Sequence, residues 1–237
     1  MGKIHSIETM GALDGPGIRM IVYFQGCILR CLYCHNPDTW SLSGGQEMSA
    51  EEIVNKAVRY KPYFAAHMGG VTFSGGEPLI QPKFLIECLK GCKEKDIHTA
   101  LDTSGVGIGY YEEILEYTDL VILDIKHEDA QMYEKLTGRN IQEYYKFKEV
   151  IIQKKQKVWL KHVVVPGLTD SPEHLEALKK EIYSFNNIEK VELLPYHTMG
   201  VSKYESLNMP YPLKGIEDMS AERIKELQEE ILKCPIK

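Results

Sequence analysis

The sequence predicts an α/β fold, a partial (β/α)6 barrel, on three observations: six short β-rich runs, amphipathic helical stretches between them, and no internal repeat or low-complexity linker. The runs are 19–24 (RMIVYF), 71–74 (VTFS), 98–102 (HTALD), 120–125 (LVILDI), 158–165 (VWLKHVVV) and 190–195 (KVELLP). Each is followed by polar, Gly-rich or Pro-rich residues, as strand ends are. Helical periodicity appears in SAEEIVNKAVRY, where Ser49 caps and Glu52 completes a capping box, and in KFLIECLKGCKEK. SPEHLEALKKEIYSF has Ser171 as cap and Pro172 in its first turn, and SAERIKELQEEILK is expected to close the outer layer.

A length of 237 residues with 43% hydrophobic and 26% charged residues suits one compact domain spanning 1–237. A net charge of -6 without a basic cluster argues against nucleic acid as a partner. No run near the N-terminus has signal-peptide character and none approaches a membrane span, so a cytoplasmic protein is expected.

Chemistry concentrates in Cys27-Ile-Leu-Arg-Cys31-Leu-Tyr-Cys34-His35. Three thiolates at this spacing can hold three irons of a cubane and leave the fourth open, whereas ordinary carriers close the site with four Cys. A zinc site would need His35 as fourth ligand, and adjacent residues rarely turn both side chains onto one ion. Disulfides are not expected in a chain long enough to bury a core. Cys88 and Cys92 lie four apart on one helical face and, with Cys234, read as structural.

Every other motif falls at the carboxyl end of a predicted strand, where βα loops converge in barrel enzymes. Gly75-Gly76-Glu77 follows the second strand, Asp102-Thr103 ends the third, Asp124 and Lys126 end the fourth, and His197 follows the sixth. Glycines permit close backbone approach to a ligand or simply a tight turn. Glu77 reads equally as a helix-start carboxylate, and the remaining polar residues as loop residues.

The CxxxCxxC spacing with Tyr33 before the third Cys resembles the signature of the radical S-adenosylmethionine (SAM) superfamily. DGPGIR (14–19), FQGC (24–27), CLYCHNPDTW (31–40), TFSGGEP (72–78), LDTSG (101–105), LDIK (123–126), VVVPG (163–167) and LLPYH (193–197) narrow the likeness. In this order they resemble the glycyl radical enzyme activating family, of the pyruvate formate-lyase type. The resemblance implies the same partial barrel, a [4Fe-4S] cluster on Cys27, Cys31 and Cys34, and SAM bound at the open iron. Reductive cleavage of SAM would give methionine and a 5′-deoxyadenosyl radical, which takes hydrogen from a glycine of the partner enzyme. It further implies SAM contacts from Tyr33, Cys34, His35, Gly75, Gly76, Glu77, Asp124, Ile125, Lys126 and His197. A monovalent cation would sit on Asp102, Thr103 and Asp124. Asp14, His35 and Lys161 would hold the substrate backbone, with Lys161 standing where the family usually has Arg. The segment after Trp40 passes straight into a helix, so the ferredoxin-like insert of other activators is absent, which favours pyruvate formate-lyase as partner. A flavodoxin or ferredoxin would supply the electron, and a monomer is expected. A small-molecule radical SAM synthase, an activator of another glycyl radical enzyme, and a noncatalytic carrier or zinc module remain as alternatives.

Overall fold

Continuous apolar runs such as Met20-Ile21-Val22 or Leu120-Val-Ile-Leu123 need cover on both faces, which a parallel sheet wrapped by helices provides. In the computed structural model, which describes residues 1–66 and 68–233, the six runs do form six parallel strands. They are β2 (Arg19–Phe24), β4 (Gly70–Gly75), β5 (His98–Thr103), β6 (Leu120–Asp124), β7 (Val158–Val164) and β8 (Ile188–Pro195), and two further strands precede or follow β2: β1 (Gly2–Gly11) and β3 (Gln46–Met48). The order is β3-β1-β2-β4-β5-β6-β7-β8, with β1 antiparallel to both β2 and β3. β3 and β8 end the sheet without pairing, so it stays open.

The strand count of six is therefore corrected to eight among the described residues. β1 runs in an irregular register beside β2, with shifts at Ile4/Ser6 and Glu8/Gly11, and most of its residues are only partly buried. Its side chains therefore carry little of the apolar alternation that marks a strand in sequence. β3 is three residues long and bears almost no burial signal at all.

Among the described residues eight α-helices complete the fold: α1 (Ala50–Ala66), α2 (Pro82–Glu94), α3 (Tyr111–Glu116), α4 (Ala130–Thr137), α5 (Gln142–Lys154), α6 (Pro172–Tyr183), α7 (Val201–Ser206) and α8 (Ala221–Leu232). The α1 capping box forms as expected: the Ser49 N–H donates to Glu52 Oε2 at 2.7 Å and the Glu52 N–H to Ser49 Oγ at 3.1 Å. Ser171 caps α6 by accepting the His174 N–H. Cys88 and Cys92 are wholly buried on the inner face of α2, as free thiols. Cys234 lies outside the described residues.

A sheet end exposes unpaired backbone groups. At β8 the amide of Gln228, on α8, mimics a missing strand: it accepts from the Leu193 N–H at 2.7 Å and donates to Val191 O at 3.1 Å. At the N-terminal ends of the parallel strands, the wholly buried Arg19 ties three segments together. Its guanidinium donates to Thr72 Oγ1, Val71 O and Pro16 O, and burial pulls its pKa down to about 10. Among the described residues no helix is long and apolar enough to cross a membrane.

Candidate active site

The carboxyl ends of the parallel strands surround a cavity of about 250 Å³. Cys27, Cys31 and Cys34 line it together with Tyr33, His35, Gly75, Gly76, Asp102, Thr103, Asp124, Lys126 and Lys161. Twelve of the sixteen residues singled out from the sequence therefore share one wall. Asp14, Glu77, Ile125 and His197 are the ones outside the lining.

The cysteine loop is held from below by backbone, not by side-chain chance. Gly26 adopts φ +102°, its N–H donates to Thr39 O, and the Arg30 and Leu32 N–H groups donate to Thr137 O and Leu136 O at the end of α4. Arg30 donates to Cys27 O and Leu29 O and lies 4.8 Å from the centre of the Trp40 ring. Helix α7 covers the loop from the other side, with Tyr204 donating to Cys34 O and Lys203 bridging Asn36 and Asp38. That cover was not foreseen, because six residues are too few to show a period.

Burial raises the thiol pKa values, to about 12 for Cys27 and about 11 for Cys31, and raises Cys34 as well. Without metal these are protonated, unreactive thiols, and ligation is what would draw off their protons. The sign follows: between the ordinary thiol pKa near 9 and these raised values the unfolded chain has lost protons that the folded chain keeps. The cluster-free protein is thus expected to lose stability as pH rises from about 8 to about 10. Anaerobic urea denaturation at the two pH values checks this, and an unchanged midpoint would contradict it.

The Gly75-Gly76 turn is required by the chain itself. Gly75 sits at φ +112°, and a Cβ there would meet the Phe24 backbone at 2.3 Å; one on Gly76 would meet Gly26 O at 2.2 Å. The Gly76 and Glu77 N–H groups donate to Phe24 O and Gly26 O, which locks this turn to the base of the cysteine loop. Glu77 points inward. Only 1% exposed, its carboxylate accepts from the Leu79 and Ser104 N–H groups and from the Thr103 and Ser104 hydroxyls. Burial pushes its pKa up and the four donors oppose that shift. The helix-start role considered for Glu77 is present, since it caps the single turn Pro78–Ile80.

The same lining carries two carboxylates and two ammonium groups. Lys126 Nζ lies 2.9 Å from Asp124 Oδ2 and 5.6 Å from the Tyr33 ring centre. Burial alone would lower the Lys126 pKa, but the Asp124 charge overrides it and holds the ammonium well above its ordinary value. Asp102, raised by burial, accepts from Ser74 Oγ at 2.9 Å, and the buried Lys161 opposes the shift. Lys161 faces Asp124 across the β6–β7 register. Thr103, in the same lining, donates its hydroxyl to Glu77. Ile125 is 1% exposed, its N–H donates to Lys161 O, and its carbonyl accepts from His162. Asp14 sits off the lining with its carbonyl accepting from Thr72 Oγ1, and its charge still bears on Asp102 and Lys161.

His35 and His197, 162 residues apart, stack at 4.0 Å, and His35 Nε2 donates to the His197 carbonyl at 3.1 Å. His197 Nδ1 and Tyr33 Oη are buried and without a hydrogen-bond partner among the described residues. Ser74, Ser104, Asn36 and Trp40 also line the cavity and were not singled out. Ser74 and Ser104 stand inside the TFSGGEP and LDTSG motifs, so the signal was adjacent.

Residues 21–179 match the model of the radical SAM superfamily. The pyruvate formate-lyase-activating enzyme of Clostridium pasteurianum is 57% identical over 228 residues, 96% of either chain. The chain belongs to the radical SAM superfamily and, within it, to the pyruvate formate-lyase-activating enzymes. The Staphylococcus epidermidis enzyme of that name is 46% identical, covering 95% of this chain and 93% of its own. A radical SAM methyltransferase from Sphaerobacter thermophilus shares the fold at TM-score 0.66 and 16% identity, over 98% of this chain and 75% of that one. Membership brings a [4Fe-4S] cluster and SAM as cofactors. The site of this radical SAM enzyme fits them: three thiols share one cavity wall, and two orphaned polar atoms, Tyr33 Oη and His197 Nδ1, lie beside it.

Proposed function

We propose that this chain activates a pyruvate formate-lyase by installing a glycyl radical on it. The observation that carries the reading is the convergence of Cys27, Cys31 and Cys34 with the Gly75-Gly76 turn and the Asp124–Lys126 pair on one cavity, in a chain 57% identical to a pyruvate formate-lyase-activating enzyme. When bound, the cluster and SAM supply a reductive cleavage that yields methionine and 5′-deoxyadenosine, the latter carrying hydrogen taken from the partner's glycine.

The protein's own residues bind and orient. Cys27, Cys31 and Cys34 would ligate the cluster. Gly75 and Gly76 offer backbone to the SAM amino group, and Lys126, held charged by Asp124, meets its carboxylate. Tyr33, the His35–His197 stack and the backbone about Cys34 and Ile125 receive the nucleoside. Asp102 and Asp124 keep their Oδ1 atoms outside the hydrogen bonds among the described residues, so they remain able to accept a monovalent cation with Thr103. Asp14 and Lys161 hold the glycine-bearing segment. Burial of the cysteine loop beneath α7 keeps water from the reacting atoms. A flavodoxin or ferredoxin delivers the electron to a monomeric enzyme in the cytoplasm.

Electron paramagnetic resonance on the anaerobic, reduced protein tests the reading. A cubane signal that changes with SAM, followed by a glycyl radical on added pyruvate formate-lyase, is the expected result. A SAM-responsive cluster with no glycyl radical would redirect the chemistry to another substrate. Lys161→Arg keeps the charge that faces Asp102 and Asp124 but forces a planar fork into a buried site. Its cluster content and partner-free SAM cleavage are expected to stay within about twofold of wild type, with glycyl radical yield changed by roughly tenfold. Equal loss of both activities would place Lys161 among the cofactor contacts instead.

A further inference from the structure

Behind the cavity wall lies a second cluster that the reaction does not use. His127 and Glu128 follow Lys126 directly, and His174 reaches them from α6; none of the three lines the cysteine cavity. The hydrogen bonds around them fix where each lone pair points. A carbonyl can only accept, so His162 donates its Nδ1–H to Ile125 O at 2.7 Å and keeps a lone pair on Nε2. That atom faces His174 Nε2 at 3.1 Å, so His174 donates there and, as a neutral imidazole, keeps its own lone pair on Nδ1. The Asp129 N–H donates to His127 Nδ1 at 3.0 Å, which places a lone pair there too. His174 Nδ1 and His127 Nδ1 then lie 3.0 and 3.4 Å from Glu128 Oε2, a buried oxygen without a hydrogen-bond donor among the described residues.

With both imidazoles neutral, three lone-pair atoms thus lie close together, two of them on buried rings, and the Asp129 N–H is the one donor that reaches any of them. A proton on His174 Nδ1 would serve both Glu128 oxygens, at 3.0 and 3.3 Å, with His127 Nδ1 left on the Asp129 N–H, whereas a cation would draw all three ligand atoms onto one centre. We infer that His127, Glu128 and His174 form a binding site for a divalent transition-metal ion, Zn2+ by its ligand chemistry, with solvent completing the coordination. Tetrahedral zinc with bonds of about 2.0–2.2 Å sets its ligand atoms roughly 3.3–3.5 Å apart; Glu128 Oε2 lies 3.0 and 3.4 Å from the two imidazole nitrogens, and all three atoms lie within 4.8 Å of one another. His162, anchored on Ile125 O, is the outer partner that ligating histidines characteristically have. The ion takes the His127 lone pair in place of the Asp129 N–H. Its consequence is mechanical: the segment that carries Asp124 and Lys126 becomes clamped to α6.

The test uses the holoenzyme with its cluster assembled, so that the three thiolates are already engaged. After incubation with Zn2+ and desalting, one zinc per chain is expected to remain, with an X-ray absorption shell of nitrogen and oxygen only. Glu128→Gln is nearly isosteric and is expected to weaken zinc retention at least tenfold without altering the far-ultraviolet circular dichroism. His162→Phe, which leaves all three ligands in place, is expected to weaken it by about 10- to 100-fold. Absence of retained zinc, sulfur in the zinc shell, or retention indifferent to Glu128→Gln would each overturn the site. Should Glu128→Gln misfold, His127→Gln provides the same reading from a different ligand.

Discussion

Cys31→Ala is expected to give a folded protein that holds no [4Fe-4S] cluster and cleaves no SAM. The loop survives because its supports are backbone contacts, Arg30 and Leu32 N–H to the end of α4 and Gly26 N–H to Thr39 O, none of which uses the thiol. Two remaining thiols cannot hold three irons, and among the described residues no spare is at hand: Cys88 and Cys92 are wholly buried in α2. Deleting one buried sulfur costs on the order of 1 kcal/mol of packing, which leaves the fold intact. Iron and sulfide analysis, with chromatography for 5′-deoxyadenosine, provides the measurement. Cleavage above about 1% of wild type would remove the proposed role of the motif.

Glu77→Gln is expected to be the most damaging near-isosteric change in the molecule. All four hydrogen bonds to the Glu77 side chain come from donors, and they join the turn after β4 to the end of β5. An amide offers two donors where the carboxylate offered none, so at least one buried N–H or hydroxyl must lose its acceptor. With a cost of about 1–3 kcal/mol for each unsatisfied group, a loss of about 3 kcal/mol follows. For a chain of this size that corresponds to a fall in Tm of roughly 6–12 °C. Thermal unfolding of the anaerobic holoenzyme measures it. An unchanged Tm with weakened SAM binding would instead put the carboxylate on the cofactor.

The parts legible in sequence were those that local physics makes loud. β2 and β4 to β7 are largely buried and read as apolar runs, half-exposed β8 is legible from its apolar Val191-Glu-Leu-Leu194 stretch before Pro195, and α1 and α6 announce themselves through Ser49 and Ser171. β1 was silent because it is largely half-exposed, and α4 was passed over although Asp129 caps it and Gly138 ends it at φ +69°. Most of the site was legible for a topological reason: strand ends in a parallel sheet share one face, so motifs far apart in sequence meet there. Which way a side chain turns at that face was not. Glu77 turns off the cavity to accept the Thr103 hydroxyl, and His35 meets His197, because these choices depend on donors supplied by loops whose positions only the assembled fold sets.

The cover over the cysteine loop has a consequence for how the enzyme is made. Cys34 O accepts from Tyr204, 170 residues further along the chain. At about 5–20 residues per second, the ribosome delivers that lid roughly ten to thirty seconds after the cysteines have emerged. During that interval the loop lacks the burial that keeps its thiols protonated and unreactive, and it is open both to oxidants and to the machinery that donates iron and sulfide. Cluster insertion and lid closure are thus in kinetic competition, and the nascent chain is the form of this enzyme most exposed to oxygen.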